Sequence, residues 1–384
     1  MTQTLLFTIL LFAAAICEGQ RGNITNESFP HPSLELRVPC QPSPVRIQGE
    51  TTLYYELHLT NRSAQAIRLH KIEVLSPPNV LSVYQPDALR NRLSMTDHRS
   101  DTSEVISLVP DRPAILYVEL VLKGKPLPSE LNHRISYAVN SPTGLQNGAM
   151  QGGVVKPETH APLILGPPLR GGPWAAVYNP FWKRGHRRVL YSKNGTERIP
   201  GRFAIDFIKL NKDGQQTVGD QDSIVHWYGY DQPVLAVADG TISSVRNDFS
   251  ESVTLSKHPA YPAESATGNY ISLQIAPDRY VFYEHLKPGG IQVKPGQMVK
   301  KGTVIARVGF TGQTTGPHLH LHVADNDSPL GAEGVPFVFD HFRLLGEYED
   351  FTTFGKSRWQ PPSPQQNTDI HQERPGPNQV IQFN

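Results

Sequence analysis

The sequence has little cysteine and no excess of charge of either sign. Its 384 residues include two cysteines, Cys17 and Cys40, so neither a disulfide framework nor a cysteine-rich zinc site is expected. Any metal would have to be held by histidine and carboxylate side chains. The 36 basic and 35 acidic residues nearly cancel, so bulk charge gives no reason to expect a nucleic-acid partner.

The longest apolar run lies at the N-terminus, over residues 5–16. This run is too short to span a bilayer comfortably and is typical of the core of a signal peptide. We therefore predict a signal peptide over residues 1–19 and export to the periplasm, the cell envelope or the extracellular space. A lipid anchor on Cys17 is not favoured, because Ile16 is a poor fit to a lipoprotein signal. No later stretch is long enough to predict a membrane span.

Short alternating apolar runs follow, and they are separated by Pro-, Gly- and Asn-containing turns. The pattern predicts β-strands, and their spacing favours an immunoglobulin-like β-sandwich over residues 20–156, whose own partner the sequence leaves open. Four histidines are scattered through this region, and each is expected to be structural or solvated: His58, His70, His98 and His133.

The rest of the chain divides by composition. Residues 157–179 are rich in Pro and Gly and predict an extended linker that wraps onto the next domain, whereas residues 346–384 are polar and predict a disordered tail. Between them, residues 180–345 predict a second domain of short strands. Segments 233–242 and 293–305 resemble the hairpins of lipoyl and biotinyl carrier domains, although neither offers an obvious lysine for attachment. The fold class is therefore all-β, a sandwich followed by a small β-barrel-like domain.

Three histidines alternate with apolar residues near the end of this second domain, at His318, His320 and His322. On a β-strand all three imidazoles point to one face. Two histidines spaced in this way can present nitrogen ligands to zinc, although spacing alone does not say which of the three would bind. The plain alternative is a solvated strand face.

Two upstream positions could join these histidines. Asp206 lies on a predicted strand over residues 202–207, where the large apolar side chains share one face and Asp206 shares the other with Arg202. A salt bridge to Arg202 or Arg188 is the structural alternative for this carboxylate. His285 ends a predicted strand just before a Pro-Gly-Gly turn.

The second domain resembles the lysostaphin-type (LytM-like) zinc endopeptidases, which cut peptide cross-links in bacterial peptidoglycan. The resemblance covers about residues 175–343 and is strongest in five segments: 203–207, 233–241, 268–270, 283–286 and 311–320. It implies one zinc ion per chain with Asp206 and His320 as ligands. It also implies that His285 and His318 are the catalytic groups that activate water and stabilise the oxyanion, without saying which does which. The implied substrate is peptidoglycan peptide.

One position departs from the family pattern. The usual first ligand is a histidine four residues before the aspartate, and here that residue is Arg202, which stays protonated and cannot bind zinc. His186 is the preferred substitute, because one hairpin separates it from the Asp206 strand and a branch of the family with arginine here keeps a similar His-Arg-Arg upstream. His226 is the second candidate; otherwise His186 is structural. His322 is expected to support a ligand or contact substrate.

These observations predict an exported zinc endopeptidase that hydrolyses peptidoglycan peptides through a metal-bound water. The first alternative, which Arg202 favours, is a catalytically degenerate relative that binds cell-wall peptide or activates another hydrolase. The second is an envelope scaffold in which the sandwich does the binding. The polar insert 212–223 either walls a substrate groove together with nearby aromatic residues or is a solvated loop; these aromatic residues are Trp174, Trp227, Tyr228 and Tyr230.

Overall fold

The computed structural model describes residues 33–95, 106–142, 144–193 and 195–384. The predicted signal peptide, Cys17 and His98 lie outside these ranges. Within them the chain is nearly all β, as predicted, with a single α-helix, α1 (Pro86–Arg92). No helix in the described ranges is both long enough and apolar enough to cross a membrane.

The strands are numbered in chain order. The first ten are β1 (Leu34–Arg37), β2 (Ser43–Ile47), β3 (Glu50–Asn61), β4 (Ile67–Ser76), β5 (Asn79–Tyr84), β6 (Leu93–Met95), β7 (Ser107–Leu108), β8 (Pro113–Val121), β9 (Leu131–Ser141) and β10 (Gly144–Val155). The next eight are β11 (Leu163–Leu165), β12 (Gly171–Val177), β13 (Tyr191–Lys193), β14 (Thr196–Arg198), β15 (Ile205–Lys209), β16 (Pro233–Leu235), β17 (Gly240–Arg246) and β18 (Tyr270–Ala276). The last seven are β19 (Arg279–Glu284), β20 (Met298–Val299), β21 (Val304–Arg307), β22 (Leu319–Ala324), β23 (Phe337–Glu347), β24 (Asp369–Glu373) and β25 (Gln379–Phe383). Short 3₁₀ helices occupy His186–Arg188, Pro200–Phe203, Ile224–His226, Ala263–Ser265 and Phe351–Thr353.

The chain forms two compact units whose boundary differs from the predicted one. The second unit contains residues 157–384 together with two excursions from the N-terminal half, residues 43–54 and 119–127. The first excursion is the β2–β3 hairpin, and its apolar side chains Val45 and Ile47 are buried in the core of the second unit. A contiguous first domain over residues 20–156 is therefore not observed.

The first unit is built on two five-stranded sheets. One has the order β1-β3-β8-β6, and the other has the order β10-β9-β4-β5 with β7 added to β4; β2, which pairs with the first part of β3, belongs to the second unit. A buried hydrogen bond of 2.8 Å joins Tyr55 Oη on β3 to His133 Nε2 on β9, one strand from each sheet. His133 is therefore structural, as expected.

The second unit is organised around one large sheet with the order β11-β23-β25-β12-β15-β22-β19-β18-β17-β20, and β24 pairs with β23. The two segments that predict carrier-like hairpins pair with each other, because β16 is hydrogen-bonded to β21 and β17 to β20. The centre of this sheet, β15-β22-β19, carries Asp206, His320 and His322, and His285 and His318 lie directly next to its strand ends.

Residues 157–179 are extended and lie on the second unit, as predicted, but as paired strands rather than as a linker between domains, and the prediction of a disordered tail is wrong. Residues 157–179 contain β12, which pairs with β15 on one side and with β25 on the other. The tail contains β24 and β25, and β25 places Ile381 and Phe383 in the core. The tail as a whole is polar, so a short strand such as Gln379–Phe383 does not stand out by composition. Its apolar residues become buried because the strand pairs with its neighbours in the sheet.

Candidate metal centre

Strand β22 is the backbone of the site. Its register places His320 directly opposite Asp206 on β15, and opposite Glu284 on β19. The apolar side chains on the other face of β22, Leu319 and Leu321, are fully buried in the core. The alternation read from the sequence therefore holds one row of polar side chains on a single face of a rigid sheet.

The Asp206 carboxylate is the point where three histidines meet. Oδ1 lies 2.8 Å from His320 Nδ1 and 3.4 Å from His318 Nε2, while Oδ2 lies 2.8 Å from His186 Nε2. One ligand atom from each of His186, Asp206 and His320 lies within 4.8 Å of the other two. Two imidazole nitrogens and one carboxylate oxygen form a donor set that suits a catalytic zinc with one open position.

His186 reaches the site from the 3₁₀ helix His186–Arg188, which precedes the β13–β14 hairpin. Gly201 allows this approach, since a Cβ atom at that position would lie 2.8 Å from His186 Cβ. The His186 and His320 rings meet edge to face, with centroids 4.6 Å apart. His226, the second candidate, instead hydrogen-bonds the backbone carbonyl of Asp220 at 3.1 Å.

Arg202 does not lie on the Asp206 strand, contrary to the prediction. It belongs to the 3₁₀ helix Pro200–Phe203, and its buried guanidinium pairs with the Glu333 carboxylate. The Asp206 carboxylate is instead contacted by three imidazoles, those of His186, His318 and His320.

His285 and His318 are each oriented by a hydrogen bond from the ring to a backbone carbonyl. His285 Nδ1 lies 2.8 Å from the Thr311 carbonyl and His318 Nδ1 lies 2.8 Å from the Gly316 carbonyl, so in each ring Nδ1–H donates to the backbone. The two ring centroids are 4.7 Å apart. His285 has a φ of 61°, an unusual conformation for a residue other than glycine, and such strain often occurs at functional sites.

Glu284 and His322 form a second row behind the ligands. His322 Nδ1 lies 3.1 Å from His320 Nε2, and its ring stacks on Phe282. Glu284 Oε1 lies 3.7 Å from His322 Nδ1, while Oε2 lies 4.0 Å from His320 Nε2. Glu284 was missed in the sequence, although an acidic residue ending the apolar run Tyr280–Glu284 was a usable signal.

The pKa values of the two buried carboxyl groups, Asp206 and Glu284, are shifted in opposite directions. Burial raises the pKa of Asp206, but the adjacent His186 and His318 outweigh it and hold the pKa well below its usual range. Burial, helped by the charge of Asp206, raises the pKa of Glu284 well above its usual range. Glu284, His285 and His320 also offer converging donor atoms, but a carboxyl group with a raised pKa gives up its proton less readily and is the poorer ligand. The set that contains Asp206 is therefore the better metal site.

The imidazoles are shifted in different directions. Burial lowers the pKa of His285 well below its usual value, and burial lowers that of His320 to about 4. Burial also acts to lower the pKa of His318, but the Asp206 carboxylate outweighs it, and the net shift is upward. Neutral imidazoles at His285 and His320 are the forms that accept a proton or bind a metal.

A cavity of about 540 Å³ opens beside the site. Its lining includes His186, Asp206 and His318, and its aromatic walls are Tyr54, Tyr178, Trp182, Trp227, Phe351 and Phe354. Of the aromatic residues expected to wall a groove, Trp227 does so and packs against Gly316, whereas Trp174 is buried in the core.

The tail contributes residues that the sequence did not suggest. Phe351 and Phe354 line the cavity, and Arg374 donates to the carbonyls of Phe203 and Ala204 at 2.7 Å and 2.9 Å. Arg374 is thus bonded to the backbone that leads directly into Asp206. The prediction of a disordered tail over residues 346–384 excluded these contacts from the predicted site.

Part of the second unit matches a known protein family. Residues 224–331 match the model of Peptidase family M23, a range that includes His285, His318 and His320 but not His186 or Asp206. The resemblance to the lysostaphin-type peptidases is thereby confirmed at the level of the family.

Two curated relatives match over short stretches. The peptidoglycan DD-endopeptidase ShyB of Vibrio cholerae is 37% identical over 100 residues, which is 26% of this chain and 19% of the relative. A metalloprotease of Haemophilus influenzae, described as uncharacterized, is 42% identical over 88 residues, 23% of this chain and 15% of the relative. The matched region therefore spans less than a fifth of either relative.

Among solved structures, the catalytic domain of lysostaphin from Staphylococcus simulans is similar. It is 21% identical, with 43% of this chain and 88% of that chain covered and a TM-score of 0.24. A score this low carries no conclusion about function.

Proposed function

We propose, from the premise that this chain carries a metallopeptidase domain of family M23, that it is a zinc-dependent endopeptidase that hydrolyses peptide bonds of bacterial peptidoglycan. The relative ShyB is named as a peptidoglycan DD-endopeptidase, which supports this choice of substrate class. The zinc ligands proposed are His186, Asp206 and His320, with one ion per chain at this site.

The observation that carries the proposal is the convergence of these three donors. Their ligand atoms lie within 4.8 Å of one another, and the carboxylate is held ionised by its imidazole neighbours. A carboxylate and two imidazoles suit zinc better than calcium or magnesium, which prefer oxygen ligands. Arginine at position 202 favoured the alternative of a catalytically degenerate relative. In the structure Arg202 pairs with Glu333, and His186 supplies the imidazole beside Asp206.

A zinc ion at this position supplies a Lewis acid and lowers the pKa of water towards about 7. His285 and His318 are proposed as the groups that move protons. Since each ring uses Nδ1–H to hold a backbone carbonyl, Nε2 is the atom left to accept or donate a proton. A protonated imidazole can also stabilise negative charge that develops on the carbonyl oxygen.

The cavity beside the ligands is proposed to bind the peptide substrate. Its aromatic walls can pack against the substrate's aliphatic parts, and the exposed Arg184 at its edge can pair with a substrate carboxylate. Peptidoglycan stem peptides contain both kinds of group. The tail residues Phe351 and Phe354 would then contribute to substrate affinity.

The remaining finer predictions are also proposals. The two sheets of the first unit are proposed to form the predicted immunoglobulin-like sandwich, supported by the Tyr55–His133 hydrogen bond between strands of both sheets. The pairings β16–β21 and β17–β20 support the lipoyl-like arrangement of the two hairpins. Action in the cell envelope or periplasm is proposed from the substrate.

The test is hydrolysis of purified peptidoglycan by the full chain loaded with zinc, with the released peptides identified by mass spectrometry. We expect new amino termini from the wild type and at least a 100-fold lower rate from H285A and from H318A, in line with the contribution of general acid–base groups. H160A, which changes an exposed histidine of the chain, is the matched control.

Zinc content and binding to peptidoglycan are measured on the same variants. Full zinc and full binding in H285A with no hydrolysis support an enzyme in which His285 is catalytic. A wild type that binds peptidoglycan and releases no peptide would overturn the proposal in favour of a cell-wall binding protein.

A further inference from the structure

A second group of metal-binding side chains lies on the strand pair β23–β24. His341 on β23 is directly opposite His371 on β24 in the antiparallel register. Asp369 lies two residues before His371, and residues two apart on a strand share a face. The ladder therefore places two imidazoles and one carboxylate side by side on one face of the sheet.

The three side chains converge on one point. Asp369 Oδ1 contacts His341 Nε2, and Asp369 Oδ2 lies 3.2 Å from His371 Nε2. The two imidazole centroids are 4.6 Å apart, and one ligand atom from each residue lies within 4.8 Å of the other two. This is the same donor composition as the Asp206 site, built from different strands.

The surroundings also suit a metal ligand. The second ring nitrogen of His341, Nδ1, lies 3.0 Å from the side-chain amide of Asn384. A histidine that binds metal through one nitrogen commonly has the other nitrogen held by an outer hydrogen bond, and an amide can serve by rotating its oxygen towards Nδ1–H. Asp369 and His371 are exposed, so an ion can reach them directly from solvent.

We propose that His341, Asp369 and His371 bind a second divalent transition-metal ion of the zinc type, separate from the proposed catalytic ion. Two imidazole donors disfavour calcium and magnesium at this position. Such an ion cross-links β24 to β23. Its structural consequence extends to Arg374, three residues after His371, which holds the backbone that leads into Asp206.

The experiment measures zinc bound per chain after the full protein is stripped with a chelator and dialysed against a slight excess of Zn²⁺. We expect about two ions in the wild type and about one in each of H371A, D369N and H186A, with none in H186A/H371A. D369N preserves side-chain size, so a loss of zinc there reports the carboxylate ligand. H160A is the matched control and should keep both ions.

A second measurement follows amide hydrogen exchange in segment 369–373. Zn²⁺ should slow exchange of these amides in the wild type and in H186A, and should leave it unchanged in H371A. An equal zinc content in the wild type and H371A would overturn the second site and leave the three side chains as an ion-pair cluster. One ion in the wild type that is lost in H371A but kept in H186A would support this site and contradict the catalytic one.

Discussion

The Nε2 atom of His186 lies 2.8 Å from Oδ2 of Asp206, although 20 residues separate them in the sequence. The same carboxylate meets His320 Nδ1 through its other oxygen, at 2.8 Å. One short side chain therefore orients two imidazoles from different elements. This contact is what allows a chain with arginine at position 202 to assemble a complete set of three donors.

Replacing His186 should remove the metal. H186A takes away one of the three proposed ligands, and we expect zinc affinity to fall by more than the ~10–100-fold typical for loss of an outer partner. Affinity is measured by competition with a chromophoric chelator, with each variant made in an H371A background that lacks a ligand of the β23–β24 site. H226A is the matched control, and a larger loss in H226A than in H186A would move the ligand to His226.

Removing Arg202 should affect stability more than metal binding. R202A leaves the largely buried Glu333 carboxylate with only the more distant guanidinium of Arg198, 3.9 Å away, and losing the charged hydrogen bond from Arg202 costs about 2 kcal/mol. We expect a lower midpoint of denaturant unfolding, with zinc affinity close to that of the wild type. The double variant R202M/E333L should recover much of the loss, because it removes both charges. Loss of zinc from a folded R202A would show that Arg202 acts on the metal site.

Glu284 should act by holding His320 in place. Burial and the charge of Asp206 raise its pKa well above the usual value, which favours the neutral carboxyl group, and its two oxygens lie 3.7 Å from His322 Nδ1 and 4.0 Å from His320 Nε2. We expect E284A to weaken zinc binding by about 10-fold and E284Q, a neutral amide of similar size, to weaken it less. Equal zinc affinity in the wild type and E284A would exclude this role.

The end of the chain should be needed for the stability of the second unit. Phe383 is buried against Phe207 and Phe339, with ring centroids 5.7 Å and 5.2 Å away. F383A leaves a cavity there, and we expect a loss of about 3 kcal/mol in unfolding free energy. The exposed Q365A is the control, and the measurement is the unfolding transition of the second unit. An unchanged transition in F383A would contradict the placement of β25.

His133 should make the first unit less stable in acid. Burial lowers its pKa from the ordinary value of 6.5 to about 4, so the folded state binds this proton less readily than the unfolded state. The stabilisation is complete above about pH 6.5 and is lost as the pH falls from there to about 4, a change of about 3 kcal/mol. Denaturant unfolding is measured across this range in the wild type and in H133Q.

H133Q removes the titrating group while it keeps polar atoms for Tyr55 and Gly153, the partners of His133. We expect H133Q to be less stable than the wild type at neutral pH and to show a flatter dependence between pH 6.5 and 4. The same slope in both proteins would assign the acid sensitivity to other groups.

Local patterns in the sequence were enough to predict the fold class and several residues of the candidate site. The period-two alternation of residues 318–323 predicts a strand with its histidines on one face, because the geometry of an extended chain allows no other arrangement. The same reasoning predicts an all-β chain. The family resemblance, carried by contiguous segments, supplied the expected roles of Asp206, His285, His318 and His320.

Only the tertiary structure shows which residues from distant segments of the chain contact each other. The sequence could propose His186 but could not show that it reaches Asp206, and it misplaced Arg202, whose partner Glu333 is 131 residues away. The tail looked disordered because its apolar residues are few, yet Phe383 is buried once β25 pairs with its neighbours. The pairing of His341 with His371 arises in the same way, since strand register is set by the whole sheet rather than by either strand alone.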